Sequence, residues 1–264
     1  MLGSCFVEKL KSHNLFAYSR VDLDITDKQA LADVFDEVRP DYVINCAAYT
    51  DVDACESNEV VAFKVNGDAV KQMAVLCADI DAVLIHFSTD YVFDGMADGY
   101  DEDSQRFAIT AYGESKLAGE KSIEVKMKRY FIVRTSWLFG KNGGNFVDTM
   151  LRLGEGVSVV GDQFGSPTYV PDLVDAVLEN LVEKKADFGI YHLTNSGSCS
   201  WYEFAVEILG DNVKKISSEE YKSPAKRPKC SILRNNKLGA LRDWREALKA
   251  YLSEKAGCLC SNNV

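Results

Sequence analysis

Short apolar runs alternate along this chain with longer stretches whose apolar residues recur at helical spacing. Residues 42–47, 82–87 and 130–133 read as strands buried on both faces, and residues 14–18 as a further candidate strand. Between them, T-D-K-Q at 26–29 reads as a capping box that opens a helix to about Val38, with Pro40 beyond it. Residues 57–77 read as one long helix and 112–123 as part of another. Buried strands alternating with helices predict an α/β fold with a parallel, doubly wound sheet. After Trp137 the pattern changes. Residues 142–145, 163–167 and the cationic stretch 222–228 read as loops. Residues 146–153 and 171–182 read as helices, 190–193 as a strand, and 201–209 and 244–252 as surface helices. The expected organisation is a sheet domain over 1–140, a smaller lobe over 141–256 that closes on the carboxyl edge and partly returns to the sheet, and a flexible tail over 257–264.

Composition narrows the function classes. The 264 residues are 47% hydrophobic and 27% charged, ordinary for a soluble globular protein. No apolar run approaches the roughly 20 residues of a membrane span. Glu8, Lys9 and Lys11 break up any signal-peptide pattern. A net charge of −10 argues against non-specific nucleic-acid binding, while local cations and helix N-termini can still hold a nucleotide. Of eight cysteines, Cys46 and Cys77 lie in apolar segments as small core residues. Cys258 and Cys260 form a C-x-C pair in the tail, a weak zinc signal. The simplest reading is a reduced, cytoplasmic protein without a metal site.

The candidate chemistry centres on Tyr112-Gly-Glu-Ser-Lys116. Tyr and Lys four apart share one helix face. A phenol titrates near ~10, and an ammonium beside it lowers that value, which makes the pair an acid able to protonate an alkoxide as it forms from a carbonyl. Alone the spacing is a weak signal, since a solvated helix face shows it by chance. Upstream, H-F-S-T-D-Y-V-F-D-G at 86–95 starts at the end of a buried strand, where side chains face the ligand crevice of such sheets. Thr89 there offers a hydroxyl to a substrate carbonyl, the bland alternative being a turn residue bonded to its own backbone.

F-S-T-D-Y-V-F-D-G followed by Y-G-x-S-K-L-A-G-E resembles the extended short-chain dehydrogenase/reductase superfamily, and within it the dTDP-4-dehydrorhamnose reductases. L-D-I-T at 23–26, N-C-A-A-Y-T-D-V-D-A-C-E at 45–56, Asn66, R-T-S-W-L-F-G at 134–140, N-F-V at 145–147 and D-Q-F-G-S-P-T-Y at 162–169 extend the resemblance over almost the whole chain. It implies a Rossmann-type fold with a small C-terminal substrate lobe. It also implies reduction of dTDP-4-dehydro-β-L-rhamnose to dTDP-L-rhamnose. Thr89, Tyr112 and Lys116 would be catalytic, with Tyr112 the proton donor and Lys116 both lowering its pKa and bonding the nicotinamide ribose. Leu2, Gly3, Asp24, Ile25, Ala47, Ala48 and Tyr49 would join Tyr112 and Lys116 in holding the cofactor. Asp90, Tyr91 and Trp137 would join Thr89 on the sugar nucleotide, core packing being the other reading of Trp137. Lys226 and Arg227 are candidate diphosphate partners.

The sequence departs from the family at its start. Only L-G at 2–3 matches the glycine-rich turn, so the first strand and the earlier glycines are expected to be absent, leaving a gap in the sheet and unpaired groups on two strands. A start placed at an internal methionine explains this, and a shortened paralogue is the alternative. At the end of the second strand stands Y-S-R, at 18–20, with no carboxylate. Arg20 therefore favours the 2′-phosphate of NADPH over NADH. The resemblance also allows magnesium and a homodimer, without identifying ligands. The rival readings are a non-catalytic partner protein like the regulatory subunit of methionine adenosyltransferase, or an epimerase or dehydratase acting on another sugar nucleotide.

Overall fold

The structure is a computed structural model that describes residues 1–261, with side chains through Gly257. In chain order its main helices are α1 (Leu2–Lys9), α2 (Lys28–Val38), α3 (Val52–Ser57), α4 (Ala69–Asp79), α5 (Ala111–Lys126), α6 (Phe146–Leu153), α7 (Val170–Val177), α8 (Trp201–Leu209) and α9 (Trp244–Ser261). The sheet strands are β1 (Tyr42–Asn45), β2 (Val83–Thr89), β3 (Tyr130–Thr135) and β4 (Gly189–His192), all parallel and in that spatial order. The expected α/β sheet with helices on both faces is present.

The alternation of β2 explains the layers. Val83, Ile85 and Phe87 pack with Phe131 and Val133 against Leu2 and Phe6 of α1 and Leu173, Val174 and Val177 of α7. Leu84 points the other way, with Ile132, into Leu31 and Phe35 of α2, Val70, Met73 and Cys77 of α4, and Ile123 of α5. A strand period of two thus feeds two cores from one run of apolar residues. A third core is built by the second half of the chain, where Phe139, Val147 and Tyr169 meet Phe204 of α8 and Trp244, Leu248 and Tyr251 of α9. Strand β4, from the second half, completes the sheet.

Several local expectations are corrected. Residues 14–18 form no strand and run exposed over the surface, with Phe16 at 52%. Among the described residues no strand lies beside β1 to pair with them, so the sheet ends at β1 rather than containing a gap. For the same reason Tyr42 is 37% exposed instead of buried on both faces. The cap of α2 is Asp27, whose carboxylate accepts from Gln29 N at 3.0 Å and Ala30 N at 3.1 Å, while Thr26 bonds Asp24. The expected helix over 57–77 is present as one uninterrupted helical run over 59–79 that contains a π-turn, Lys64–Asp68, and ends in α4; Asn58 separates it from α3. Helices α8 and α9 are amphipathic, not merely superficial: Phe204 and Trp244 are fully buried. Helix α9 runs past Gly257, where a tail was expected. Cys258 and Cys260 lie outside the residues whose side chains are described, and the other six cysteines are free. No described helix is long and apolar enough to cross a membrane.

Candidate active site

Strand β2 delivers the first reacting group. Its last residue, Thr89, is 5% exposed and opens a 3-10 turn over Asp90–Val92. The Thr89 hydroxyl accepts from Tyr91 N at 3.2 Å, donates to Asp90 Oδ1 at 3.0 Å, and reaches the Tyr112 phenol. The turn-residue alternative therefore holds together with the placement beside Tyr112. Asp90 is buried, and its second oxygen is taken by the Ser231 hydroxyl, 141 residues along the chain. Burial pushes the Asp90 carboxyl up to about 6, against the hydrogen bonds from Ser231 and Thr89. Tyr91 lies edge-on to Tyr112, with ring centroids 5.7 Å apart.

Helix α5 delivers Tyr112 and Lys116, and nearly every position of Y-G-x-S-K-L-A-G-E has a contact that explains it. Thr110 caps the helix at Gly113 N (3.0 Å), and Glu56 Oε1 accepts from Ala111 N (3.0 Å). A side chain at Gly113 would strike the Tyr91 carbonyl, and one at Gly119 the Asn66 carbonyl, so both glycines allow a close approach of backbone. Ser115 Oγ accepts from Asn66 Nδ2 at 3.0 Å. Asn66, fully buried on the π-turn, clamps Tyr49 through its N (2.9 Å) and O (3.0 Å). Glu120 pairs with Arg134 of β3.

Lys116 is 2% exposed; its Nζ donates to Phe87 O at 2.6 Å and lies 3.2 Å from His86 Nε2. Here the structure corrects the expected electrostatics. Lys116 is turned to β2 and does not depress Tyr112. Burial and the neighbouring Asp90 charge raise the phenol above its ordinary value, opposed by Thr89. The lysine itself is pushed down to about 8 by burial.

The other expected residues fall into separate groups. Ala47, Ala48 and Tyr49 follow β1, with Ala47 N bonded to Asn45 Oδ1 at 3.0 Å and Tyr49 held by Asn66. Gly3 packs near Cys46, and a Cβ added to it would stand 3.6 Å from Cys46 Cβ. Leu2 spends its side chain in the core under β2. Helix α1 starts with no side-chain cap and no acid in its first turn, so its opening amides suit an anion. Asp24 is held below the usual carboxylate range by hydrogen bonds from Thr26 and, more weakly, by the charges of Arg20 and Lys64. Ile25 joins the core beneath it, and Arg20 is exposed. Trp137, at φ 47°, stacks on Trp201 with centroids 3.5 Å apart and touches Gly165. Arg227 is engaged as a fork on Asp53 (3.1 and 2.8 Å), and Lys226 is exposed. No cluster of three metal-ligating side chains occurs among the described residues.

Sequence reasoning missed His86, Asn45 and Ser231. His86 left one trace, a lone histidine inside the apolar run of β2. Ser231 left none, because its role depends on a contact across the chain.

Comparison with known proteins agrees with this geometry. The RmlD substrate binding domain family matches residues 1–256. A dTDP-4-dehydrorhamnose reductase from Mycolicibacterium smegmatis is 38% identical over 94% of this chain and 80% of its own length. The crystal structure of a dTDP-4-dehydrorhamnose reductase from Clostridium acetobutylicum superposes with a TM-score of 0.92 at 40% identity, covering 97% of this chain and 96% of that one. The Bacillus anthracis dTDP-4-dehydrorhamnose reductase, solved in complex with NADP, gives 0.90 at 42% identity, over 96% and 95%. Fold, motif geometry and sequence agree along the chain, which belongs to the RmlD substrate binding domain family.

Proposed function

We propose that this protein reduces the 4-keto group of a dTDP-linked 6-deoxyhexulose, dTDP-4-dehydro-β-L-rhamnose, to give dTDP-L-rhamnose with NADPH. The observation that carries the reading is the convergence of Thr89, Tyr112 and Lys116 at the carboxyl end of β2. The named reductases among its relatives support it, as does the NADP held by the Bacillus anthracis protein.

NADPH, when bound, supplies the hydride. Lys116, Ala47, Ala48, Tyr49, Gly3, Leu2, Asp24, Ile25 and Arg20 are the residues that would hold it. Tyr112 keeps its proton at rest because burial disfavours the phenolate. As charge develops on the substrate oxygen, the phenol gives up that proton, and the Thr89 hydroxyl orients the same oxygen. Asp90, Tyr91 and Trp137 would line the sugar side. The division near residue 140 would separate cofactor from substrate.

The test is NADPH oxidation with dTDP-4-dehydrorhamnose by the protein and by Tyr112→Phe. Loss of one general acid predicts a fall of about 10²–10⁴ in rate with an unchanged melting curve. A variant that retains the full rate would remove Tyr112 as donor. A folded unaltered protein with no turnover would remove the reductase reading.

A further inference from the structure

A strut from the second half of the chain reaches the turn that carries Thr89. Residues 228–234 run between two loops and bond to both through the backbone. Phe164 N donates to Lys229 O and Ser231 N to Phe164 O, each at 2.8 Å. On the other side Tyr100 N donates to Ile232 O at 2.8 Å and Arg234 N to Tyr100 O at 2.9 Å. Gly95, at φ 79°, lets the strut pass, since a Cβ there would stand 2.5 Å from Pro228 Cβ. Ser231 is thereby fixed and buried. Its hydroxyl has one proton. Asp90 Oδ2 stands 2.5 Å away and Phe164 O 3.5 Å, so the carboxylate takes it. Asp90 Oδ1 takes the Thr89 proton at 3.0 Å. An ionised carboxylate only accepts, so both hydroxyls turn inward to it. Thr89 is left with lone pairs alone, one met by Tyr91 N at 3.2 Å and the other facing Tyr112.

To orient a carbonyl oxygen Thr89 must donate to it, and Asp90 holds the proton it would donate. We propose that Ser231 is a positioning residue for the reduction: its bond keeps the buried Asp90 carboxylate satisfied while the Thr89 hydroxyl turns to the substrate oxygen, and so frees Thr89 for that contact. This rests on the reductase reading of Thr89 and Tyr112. Asp90 is 2% exposed, so water does not replace a lost donor. Its side-chain donors are Thr89 and Ser231, beside the amides of its own turn, and among the described residues no cation pairs with it. The titratable groups that face it are Tyr91 on the same turn and Tyr112 on α5. Burial raises both phenols, so neither is charged at neutral pH. Arg227, just before the strut, reaches Tyr91 but spends its fork on Asp53, and Lys229 on the strut acts on Asp162. A proton on Asp90 does the same work as Ser231, because a carboxylic acid donates to Thr89 Oγ1 and leaves the Thr89 proton free. Ser231 therefore matters above the Asp90 midpoint and not below it.

The experiment compares reduction of dTDP-4-dehydrorhamnose by the unaltered protein and by Ser231→Ala between roughly pH 5.5 and pH 8.5. Beside it, carbon NMR follows the aspartate carboxyls with neither cofactor nor sugar added. Asp90 of the unaltered protein is expected to titrate at about 6. Loss of the Ser231 bond should raise that midpoint by about one pH unit, a tenfold change in the equilibrium. The kcat of Ser231→Ala should match the unaltered protein at the acid end and fall at least about tenfold below it at the alkaline end, with KM for NADPH unchanged. Ser231→Thr keeps the hydroxyl and should restore the alkaline rate. A deficit of equal size at both ends marks packing alone and overturns the proposal, as does an unmoved Asp90 midpoint. Should Ser231→Ala not fold, Ser231→Cys, close in shape and a weak donor, takes its place. No turnover by the unaltered protein removes the reductase reading. An unmoved midpoint with full turnover removes only the role of Ser231, so the two failures are distinct.

Discussion

The guanidinium of Arg134 forks onto the carboxylate of Glu120, Nε to Oε1 at 2.9 Å and Nη2 to Oε2 at 2.8 Å, with neither side chain exposed. The pair ties β3 to the far end of the helix that carries Tyr112 and Lys116. Arg106 adds a second contact to Glu120 at 3.0 Å, and Arg134 Nη1 also donates to Glu102 O at 3.1 Å.

Removing Arg134 leaves the buried Glu120 carboxylate with Arg106 as its remaining cation, which offsets part of the loss, so Arg134→Ala should cost about 3 kcal/mol, while a joint Arg134→Met, Glu120→Leu replacement should cost less. Burial alone would raise the Glu120 pKa, but the bonds and charge of Arg134 hold it below its ordinary value. A depressed carboxylate stabilises the fold above its unfolded pKa of ~4.3 and loses that contribution as pH falls through the folded value. Urea melts from pH 3 to pH 8 check both points. Arg134→Ala melts that match the unaltered protein would show that the pair adds nothing.

Asp90 has the opposite sign. Burial pushes its pKa up to about 6, so the fold disfavours the carboxylate. Its unfavourable contribution grows as pH rises from ~4 to about 6 and is constant above. Asp90→Asn retains partners for Thr89 and Ser231 while removing the charge. The variant should be more stable than the unaltered protein at pH 8, on the order of 2–3 kcal/mol, and equal to it near pH 4. A stability difference that does not change between these pH values would refute the assignment.

Gly165 underlies Trp137. A Cβ there would stand 2.5 Å from Trp137 Cε2, and the ring cannot retreat because Trp201 stacks 3.5 Å behind it. Gly165→Ala should therefore displace Trp137, with an overpacking cost of about 1–3 kcal/mol. If Trp137 meets the sugar nucleotide, KM for that substrate rises several-fold while KM for NADPH holds. Equal effects on both constants would remove Trp137 from the substrate side.

Arg20 is exposed, and its charge acts on Asp24, a residue proposed above to help hold the cofactor. Arg20→Ser should weaken use of NADPH about tenfold, some 1.4 kcal/mol, and leave NADH unchanged. Steady-state kinetics with both cofactors decide it. Parallel losses would mean that Arg20 does not read the 2′-phosphate.

Much of this was legible in the sequence because it depends on near neighbours. The period of apolar residues in β2 and β3 named the parallel sheet, and Phe146–Leu153 and Trp201–Leu209 are helices at the residues the pattern predicts. The spacing of Tyr112 and Lys116 placed both on one helix, and the end of β2 brought Thr89 to them. The failures were of a different kind. Residues 14–18 carry a strand's composition but no partner strand, and a strand exists only as part of a ladder. Helix α9 reads as superficial until the buried side of Trp244 is seen against Phe204.

By itself, then, the sequence determined the fold class, the reacting residue types and their order along the chain, since periodicity, capping and i, i+4 spacing act over a few residues. Only the tertiary structure decided the electrostatic state of the site. Whether Lys116 faces Tyr112 or His86 depends on where β2 lies against α5, and the pKa of Asp90 depends on burial under Ser231, 141 residues away. Charge states follow from solvent exclusion and from partners that meet only once the chain is folded, and no local pattern records them.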